Sequence, residues 1–216
     1  MTERTADVYA DRTIAAYRWR AKEAIRSWGR HKPSRFLREF VRQMKTVRPS
    51  TSSGRMVPHV LDYGCGIGAD MAWMQRHRVR VEGIDGTLEF VNEARRRCRA
   101  ALIRFARFEK VEIPAGTYDG IWCNAALVHV PPKVLRQQLE KLRTGLKSDG
   151  LLGITLAWGR TKGFTHRDWI PGRYLASYTR SEVKSLLKRW TIREMKVVSA
   201  DGRNGRWIQA LVSRGE

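Results

Sequence analysis

The sequence predicts a doubly wound α/β domain: a mostly parallel sheet with helices on both faces, preceded by a helical cap and closed by an antiparallel hairpin. Three observations carry this expectation. An apolar run over residues 57–61, broken only by Pro58 and His59, leads into glycines at alternate positions, Gly64, Gly66 and Gly68, and a helix-compatible stretch follows, the order of a buried strand, a tight turn and a helix start. β-type and helical runs then alternate as far as residue 157, which calls for parallel strands joined by right-handed crossovers. Two last β-type runs flank the turn signal Asp201-Gly202-Arg203-Asn204-Gly205, which makes them a hairpin.

Taken in order, residues 5–30 read as helix, with Tyr9, Ile14, Tyr17 and Ile25 among charges and Gly29 as the stop. Residues 34–46 form a second helix, capped by Ser34, with Phe36, Leu37, Phe40, Val41 and Met44 on one face. Residues 48–54 have linker composition, so the expected division is a helical cap and linker over residues 1–54 and a core domain over 55–216. In the core, strands are expected at 57–62, 79–84, 102–105, 118–123, 151–157, 192–198 and 207–212. Thr87 is the expected cap of a helix over 88–101, Pro131 and Pro132 open a helix through 146, and Thr179 to Glu182 has capping-box spacing ahead of a helix to 187. Residues 158–178 read as irregular and aromatic.

The 216 residues, 42% of them hydrophobic, suffice for a substantial core, and no run of apolar residues reaches the length of a membrane span. The amino terminus is polar, so no signal peptide is expected. Three cysteines at unrelated spacings give neither a disulfide framework nor a metal pattern, and a cytoplasmic location is the simple inference. The formal net charge of +21 points either to a polyanionic partner such as RNA or DNA or to an arginine-rich solvated surface.

The chemistry-bearing residues sit where such a sheet binds ligands, at the carboxyl ends of the strands. Glycine at 64, 66 and 68 tolerates positive φ and lets a ligand approach the backbone. Asp85, followed by Gly86, ends the second strand 21 positions after Gly64, where a carboxylate can accept from both hydroxyls of a ribose. Asp62 lies just before the glycines. A negative charge there repels a pyrophosphate and favours a ligand with a positive amino group, which argues against a dinucleotide.

With the stretch Asp119-Gly120-Ile121-Trp122-Cys123-Asn124-Ala125-Ala126-Leu127-Val128-His129-Val130-Pro131 in view, the sequence resembles the class I S-adenosylmethionine-dependent methyltransferases. Asp62-Tyr63-Gly64-Cys65-Gly66-Ile67-Gly68 is similar to that family's first motif and Val81-Glu82-Gly83-Ile84-Asp85 to its second. The likeness is good over residues 57–157 and loose over the first fifty. It implies a Rossmann-like sheet of about seven strands. It also implies that Gly64, Cys65, Gly66 and Gly68 line the methionine moiety, that Asp62 holds its amino group, and that Asp85 and Gly86 meet the ribose. Asn124 and Ala125 would face the methionine end. The family's usual adenine-binding aspartate is replaced by Glu109, so Phe108, Glu109 and Lys110 are the adenine candidates.

His129 is the candidate catalytic base, because an imidazole can take a proton near neutral pH; it could equally shape the site. The acceptor is expected under aromatic cover, drawn from Tyr9, Tyr17 and Trp19 on the cap and from Trp158, Phe164, His166, Trp169, Arg173, Tyr174 and Tyr178. A small-molecule methyl acceptor fits best, since no RNA-binding module is appended. RNA or a ribosomal protein as acceptor, and a non-catalytic basic binding module on the same fold, are the alternatives.

Overall fold

The sheet grows outward from a central buried strand, β1 (His59–Tyr63), in a computed structural model that describes residues 3–30, 32–47, 57–199 and 205–215. β1 pairs in parallel with β2 (Arg80–Asp85) on one side and with β4 (Tyr118–Asn124) on the other. β3 (Ile103–Phe105) extends the first side, and β5 (Leu146–Trp158) extends the second, both in parallel. β9 (Arg206–Arg214) runs antiparallel to β5, and β8 (Trp190–Ser199) runs antiparallel to β9. These seven strands are the expected doubly wound sheet with its terminal hairpin. The turn that joins the hairpin, and the linker over 48–54 with the division placed at its end, lie outside the described residues.

Two further strands stand in the segment read as irregular. β6 (Lys162–Phe164) pairs antiparallel with β7 (Tyr174–Tyr178), and β7 joins β5 in parallel at Ala157 and Trp158, just beyond the last β4 partner, Thr155. A three-residue strand with glycine at its centre has too little periodicity to be seen in sequence. The helical run predicted over 5–30 divides at Arg20 into α1 (Glu3–Trp19) and α2 (Ala21–Trp28).

Each face of the sheet has its own apolar layer. On one side lie α3 (Arg35–Val47), α4 (Ala69–Arg76) and α5 (Leu88–Arg97), packed with Val60, Val81, Trp122 and Leu151. On the other lie α6 (Pro132–Gly145) and α7 (Arg180–Leu186), packed with Leu61, Ile121, Leu152 and Ile154. Ser34 caps α3 through the Leu37 amide, and Thr179 with Glu182 forms both bonds of a capping box at α7. Thr87 stands at the cap of α5 but makes no side-chain bond to the helix; its amide donates to Asp85 at 2.8 Å. Among the described residues no helix is long and apolar enough to cross a membrane.

α3 owes its seat to two strand glycines. A Cβ on Gly120 would stand 2.7 Å from the Phe40 ring, and one on Gly153 would stand 2.7 Å from the Trp122 ring. Phe36 and Phe40 meet Trp122 with ring centroids 5.1 and 5.2 Å apart, all three buried. Phe40→Ala should therefore lower stability by about 3–5 kcal/mol, the range for emptying a buried ring site. Urea unfolding with an unchanged denaturant slope would register it; a loss below about 1 kcal/mol would show that the pocket collapses without cost.

Candidate functional site

All strand-end groups named from sequence converge at the carboxyl edge of β1, β2 and β4. The turn after β1 is made by three left-handed glycines, with φ of 86° at Gly64, 51° at Gly66 and 73° at Gly68. Their surroundings differ. A Cβ on Gly64 would lie 2.3 Å from the Ala126 side chain, and one on Gly68 would lie 3.0 Å from Ala94 of α5. A Cβ on Gly66 would meet nothing within 4 Å, so the middle of the turn faces open space. The amides of Gly64 and Cys65 both donate to the Ile84 carbonyl at 2.9 Å, which binds the turn to the end of β2.

Two carboxylates flank that space. Asp85 accepts from the Gly66 amide at 2.9 Å through Oδ2 and from the Thr87 amide at 2.8 Å through Oδ1. Burial raises its pKa against the lowering effect of those bonds. Asp62 is 2% exposed, and its Oδ2 has no hydrogen-bond partner among the described residues. Burial pushes its pKa well above the usual carboxylate range, and the charges of Asp70 and Asp85 push further. An orphaned acceptor in a field of like charges is destabilising as it stands and is satisfied by a cationic donor.

Asp70, in the first turn of α4, lies at this edge and was not named from sequence. Its Oδ2 accepts from Trp122 Nε1 at 2.8 Å and from Asn124 Nδ2 at 3.3 Å. Thr155 of β5 completes the hold on the end of β4: its hydroxyl accepts the Ala125 amide at 2.7 Å and donates to Asn124 Oδ1 at 2.8 Å. Ala125 itself has φ of 54°, a left-handed conformation rare outside glycine and asparagine. An acidic residue two positions after the third glycine of the turn is a signal that could have drawn attention to Asp70.

The turn after β3 is fixed by the opposite helix layer. Phe108 stacks on Tyr63 at 4.5 Å, and its carbonyl accepts from Lys141 of α6 at 2.7 Å and from the Tyr63 hydroxyl at 3.2 Å. The Phe108 ring also reaches the Gly64 position. Glu109 and Lys110 share this turn, Lys110 exposed and Glu109 half-buried.

His129 lies in a single 3-10 turn, Leu127–His129, that follows β4. Its Nδ1 is 2.7 Å from the Tyr174 carbonyl, which can only accept, so Nδ1 carries the hydrogen. Nε2 is then the acceptor for the Tyr17 hydroxyl at 2.7 Å. The same Tyr17 oxygen accepts from Arg173 Nη1 at 2.8 Å, and Arg173 is held by Asp168 at 2.8 Å. The chain of donors therefore runs in one direction, from Arg173 through Tyr17 to His129. Burial, reinforced by Arg173, pushes the His129 pKa down to about 4. The Tyr17 pKa is raised by burial, with Arg173 opposing.

α1 spans this edge from one end to the other. Tyr9 lies between Phe164 and Tyr174, with centroids at 5.3 and 4.8 Å, and the Thr13 hydroxyl accepts the Tyr174 amide at 3.0 Å. Ile14 covers Gly86, and Arg18 pairs with Glu89 of α5 at 3.2 Å. Tyr17, Trp28 and Phe90 form a ring cluster that Trp169 joins at 5.9 Å from Trp28. So Tyr9, Tyr17, Arg173, Tyr174 and His129 are brought together. Trp19 and Trp158 stand at the surface, each beside an arginine, 64% and 40% exposed. Tyr178 is buried in β7, its hydroxyl without a partner among the described residues.

Comparison with known proteins agrees with this architecture. A family profile described as a methyltransferase domain matches residues 60–150. The methyltransferase GfsG of Streptomyces halstedii is 30% identical over 95 residues, which cover 40% of this chain and 34% of that protein. The match thus spans about a third of the relative's length. Among solved structures, the Burkholderia thailandensis 1,6-didemethyltoxoflavin-N1-methyltransferase, with its substrate and S-adenosylhomocysteine bound, superposes with a TM-score of 0.74 at 18% identity, over 98% of this chain and 91% of that one. The magnesium protoporphyrin IX methyltransferase of Synechocystis, with S-adenosylmethionine bound, gives 0.61 at 18% identity, over 98% and 95%. At these identities the superpositions establish the fold.

The raised pKa of Asp62 has a sign that can be checked. A carboxyl that holds its proton more tightly when folded loses stability as pH rises from its unfolded pKa, about 4, toward its folded one. Asp62→Asn should therefore be more stable than the parent at neutral pH, and the difference should shrink as pH falls toward about 4. Paired urea titrations across that window measure it; a parent more stable than the variant at pH 7 would refute the orphaned-charge assignment.

Proposed function

We propose that this chain, whose residues 60–150 form a class I S-adenosylmethionine-dependent methyltransferase domain, transfers a methyl group to a small-molecule acceptor held beside Tyr17 and His129. The observation that carries the cofactor assignment is Asp62, a buried carboxylate with an unpartnered oxygen next to the open middle of the glycine turn. S-adenosylmethionine brings an ammonium group to such a carboxylate and a methyl group activated on a sulfonium. Asp62 would hold the ammonium, Gly66 would leave room for the methionine chain, and Asp85 would take the ribose hydroxyls on its remaining lone pairs. The turn with Phe108, Glu109 and Lys110 would flank the adenine, and Asn124 and Ala125 would border the methionine end. The relatives in hand support a small acceptor: one has a toxoflavin precursor bound, and another is named for a porphyrin.

The chain's own contribution to the reaction is positioning, exclusion of water and removal of one proton. His129 Nε2 is engaged by Tyr17, so an acceptor proton reaches it through the phenol. Tyr17 passes its own proton to Nε2 as it takes the acceptor's, while Arg173 stabilises negative charge on the phenolic oxygen. A base with a pKa of about 4 is weak. It suffices if the proton leaves with or after methyl arrival, because an oxygen or nitrogen that has gained a methyl group becomes strongly acidic. The +21 net charge favours a second reading, an RNA acceptor.

Calorimetric titration with S-adenosylhomocysteine tests the site: Asp85→Ala should weaken binding by about 10- to 100-fold, the loss of hydrogen bonds to a charged group. Unchanged affinity would sink the ribose assignment. Tyr17→Phe should leave that affinity nearly unchanged and lower turnover by about 10²–10⁴. Turnover should show no inflection from His129 between pH 6 and 8, where the imidazole is already neutral. The acceptor class is read by labelled methyl transfer into separated small-molecule and RNA fractions of the host, and label in RNA alone would overturn the small-molecule reading.

A further inference from the structure

The turn after β3 is closed by its own backbone and then gripped a second time from α6. Within the turn the Lys110 and Val111 amides both donate to the Arg107 carbonyl, each at 3.1 Å. Lys141 reaches across from α6 to two further carbonyls of the same turn: its Nζ donates to Phe108 at 2.7 Å and to Val111 at 3.0 Å. Gln138 lies three residues earlier, on the same face of the helix, and is 3% exposed. Its Oε1 accepts from the Tyr63 hydroxyl at 2.8 Å, and the Tyr63 ring is the one on which Phe108 stacks at 4.5 Å. One face of α6 therefore holds the turn directly through Lys141 and indirectly through Tyr63.

A lysine ammonium is strongly hydrated in water, and the half-buried Lys141 gives up part of that hydration. Burial pushes its pKa down, with the charges of Glu109 and Glu112 opposing. In return the ammonium fixes the direction of a peptide. A trans peptide holds its N–H opposite its C=O, so a Phe108 carbonyl tied to α6 directs the Glu109 amide away from α6. The amides of Phe108 and Glu109 have no acceptor among the described residues.

We infer that Lys141 is a positioning residue that sets the choice of base in the cofactor, by fixing the turn that carries Glu109. The inference rests on the S-adenosylmethionine reading of the site. Adenine has on one edge a ring nitrogen that accepts a hydrogen bond beside an amino group that donates one. Glu109 brings the matching pair, a backbone N–H donor and a carboxylate acceptor. Hypoxanthine has the reverse edge, a ring N–H beside a carbonyl, so it sets donor against donor and acceptor against acceptor. A turn that is free to rotate its peptides loses this discrimination, and a turn tied at two carbonyls keeps it.

Calorimetry on the full chain with S-adenosylhomocysteine and S-inosylhomocysteine, which differ only at that base edge, tests it. The parent should bind the adenine ligand at least about tenfold more tightly, the effect of mismatched polar contacts. In Lys141→Met the preference should fall toward parity because S-adenosylhomocysteine binds about tenfold more weakly, while the melting temperature stays within about 4 °C of the parent's. Lys141→Arg keeps a cation with donors for both carbonyls and should hold the preference within about threefold of the parent's. Lys141→Gln keeps one donor group and should fall between the two; it carries the test where the methionine variant does not fold. A parent that binds the two ligands alike, or a Lys141→Met with the parent's preference, would overturn the inference and leave the cofactor reading standing. So would equal weakening of both ligands, the mark of a purely structural lysine, or an arginine variant no better than methionine. A parent that binds neither ligand would overturn the cofactor reading and the inference with it.

Discussion

The buried carboxylate of Asp62 constrains everything built around it. It is the second-last residue of a strand enclosed on both faces and is itself buried, and two other carboxylates, Asp70 and Asp85, face the same region. The fold contains part of this charge. Asp85 is spent on two backbone amides and Asp70 on the side chains of Trp122 and Asn124. Asp62 alone keeps an oxygen with no donor among the described residues. A domain that needed only stability would have an apolar residue there. Retaining the charge makes sense if a cationic ligand supplies the missing partner, and this is the physical content of the glycine-and-aspartate signature.

The cap answers a related need. A methyl donor must be shielded from water while an acceptor is held in line, and the sheet edge by itself provides no cover. α1 lies over part of that edge, touching Phe164 and Tyr174 on the β6–β7 pair, His129 after β4, Gly86 after β2 and Glu89 on α5. Its polar contacts are directional. Arg173 has only donors to give and the Tyr174 carbonyl can only accept, so Tyr17 and His129 have no choice of tautomer or rotor between them. An imidazole held in this way is oriented at the cost of being freely accessible.

Local rules made the sheet legible. Strand and helix periods, capping residues and turn signals depend on neighbours in sequence, and they identify β1, β2, β4, β5 and the terminal hairpin from pattern alone. Asp62 and Asp85 were legible for the same reason, since both are set by their distance from the glycines. What sequence could not show depends on contacts across the chain. Asp70 looks like any acidic residue in a first helical turn until Trp122 and Asn124, more than fifty residues away, arrive beside it. Tyr17 and Arg173 are 156 residues apart and meet only because α1 folds over the β6–β7 pair. Thr87 is the instructive case: its position satisfies the capping rule, but its side chain makes no bond to the helix, and its amide is taken by a carboxylate two residues earlier.

Two non-glycine residues with left-handed backbones, Ala125 and Arg78, mark the two ends of the same sheet. Each costs about 1 kcal/mol relative to glycine, and neither position lacks a glycine alternative. At Ala125 the conformation turns the chain sharply out of β4, and Thr155 and Asp70 hold the neighbouring groups so that the turn cannot relax. A methyl side chain there occupies space that glycine would leave open, and it does so at the methionine end of the proposed cofactor site. At Arg78 the turn is an ordinary helix stop that would form as well with no side chain at all. The difference matters for interpretation. Strain at Ala125 is held in place by packing around it, whereas at Arg78 the backbone gains nothing from the side chain.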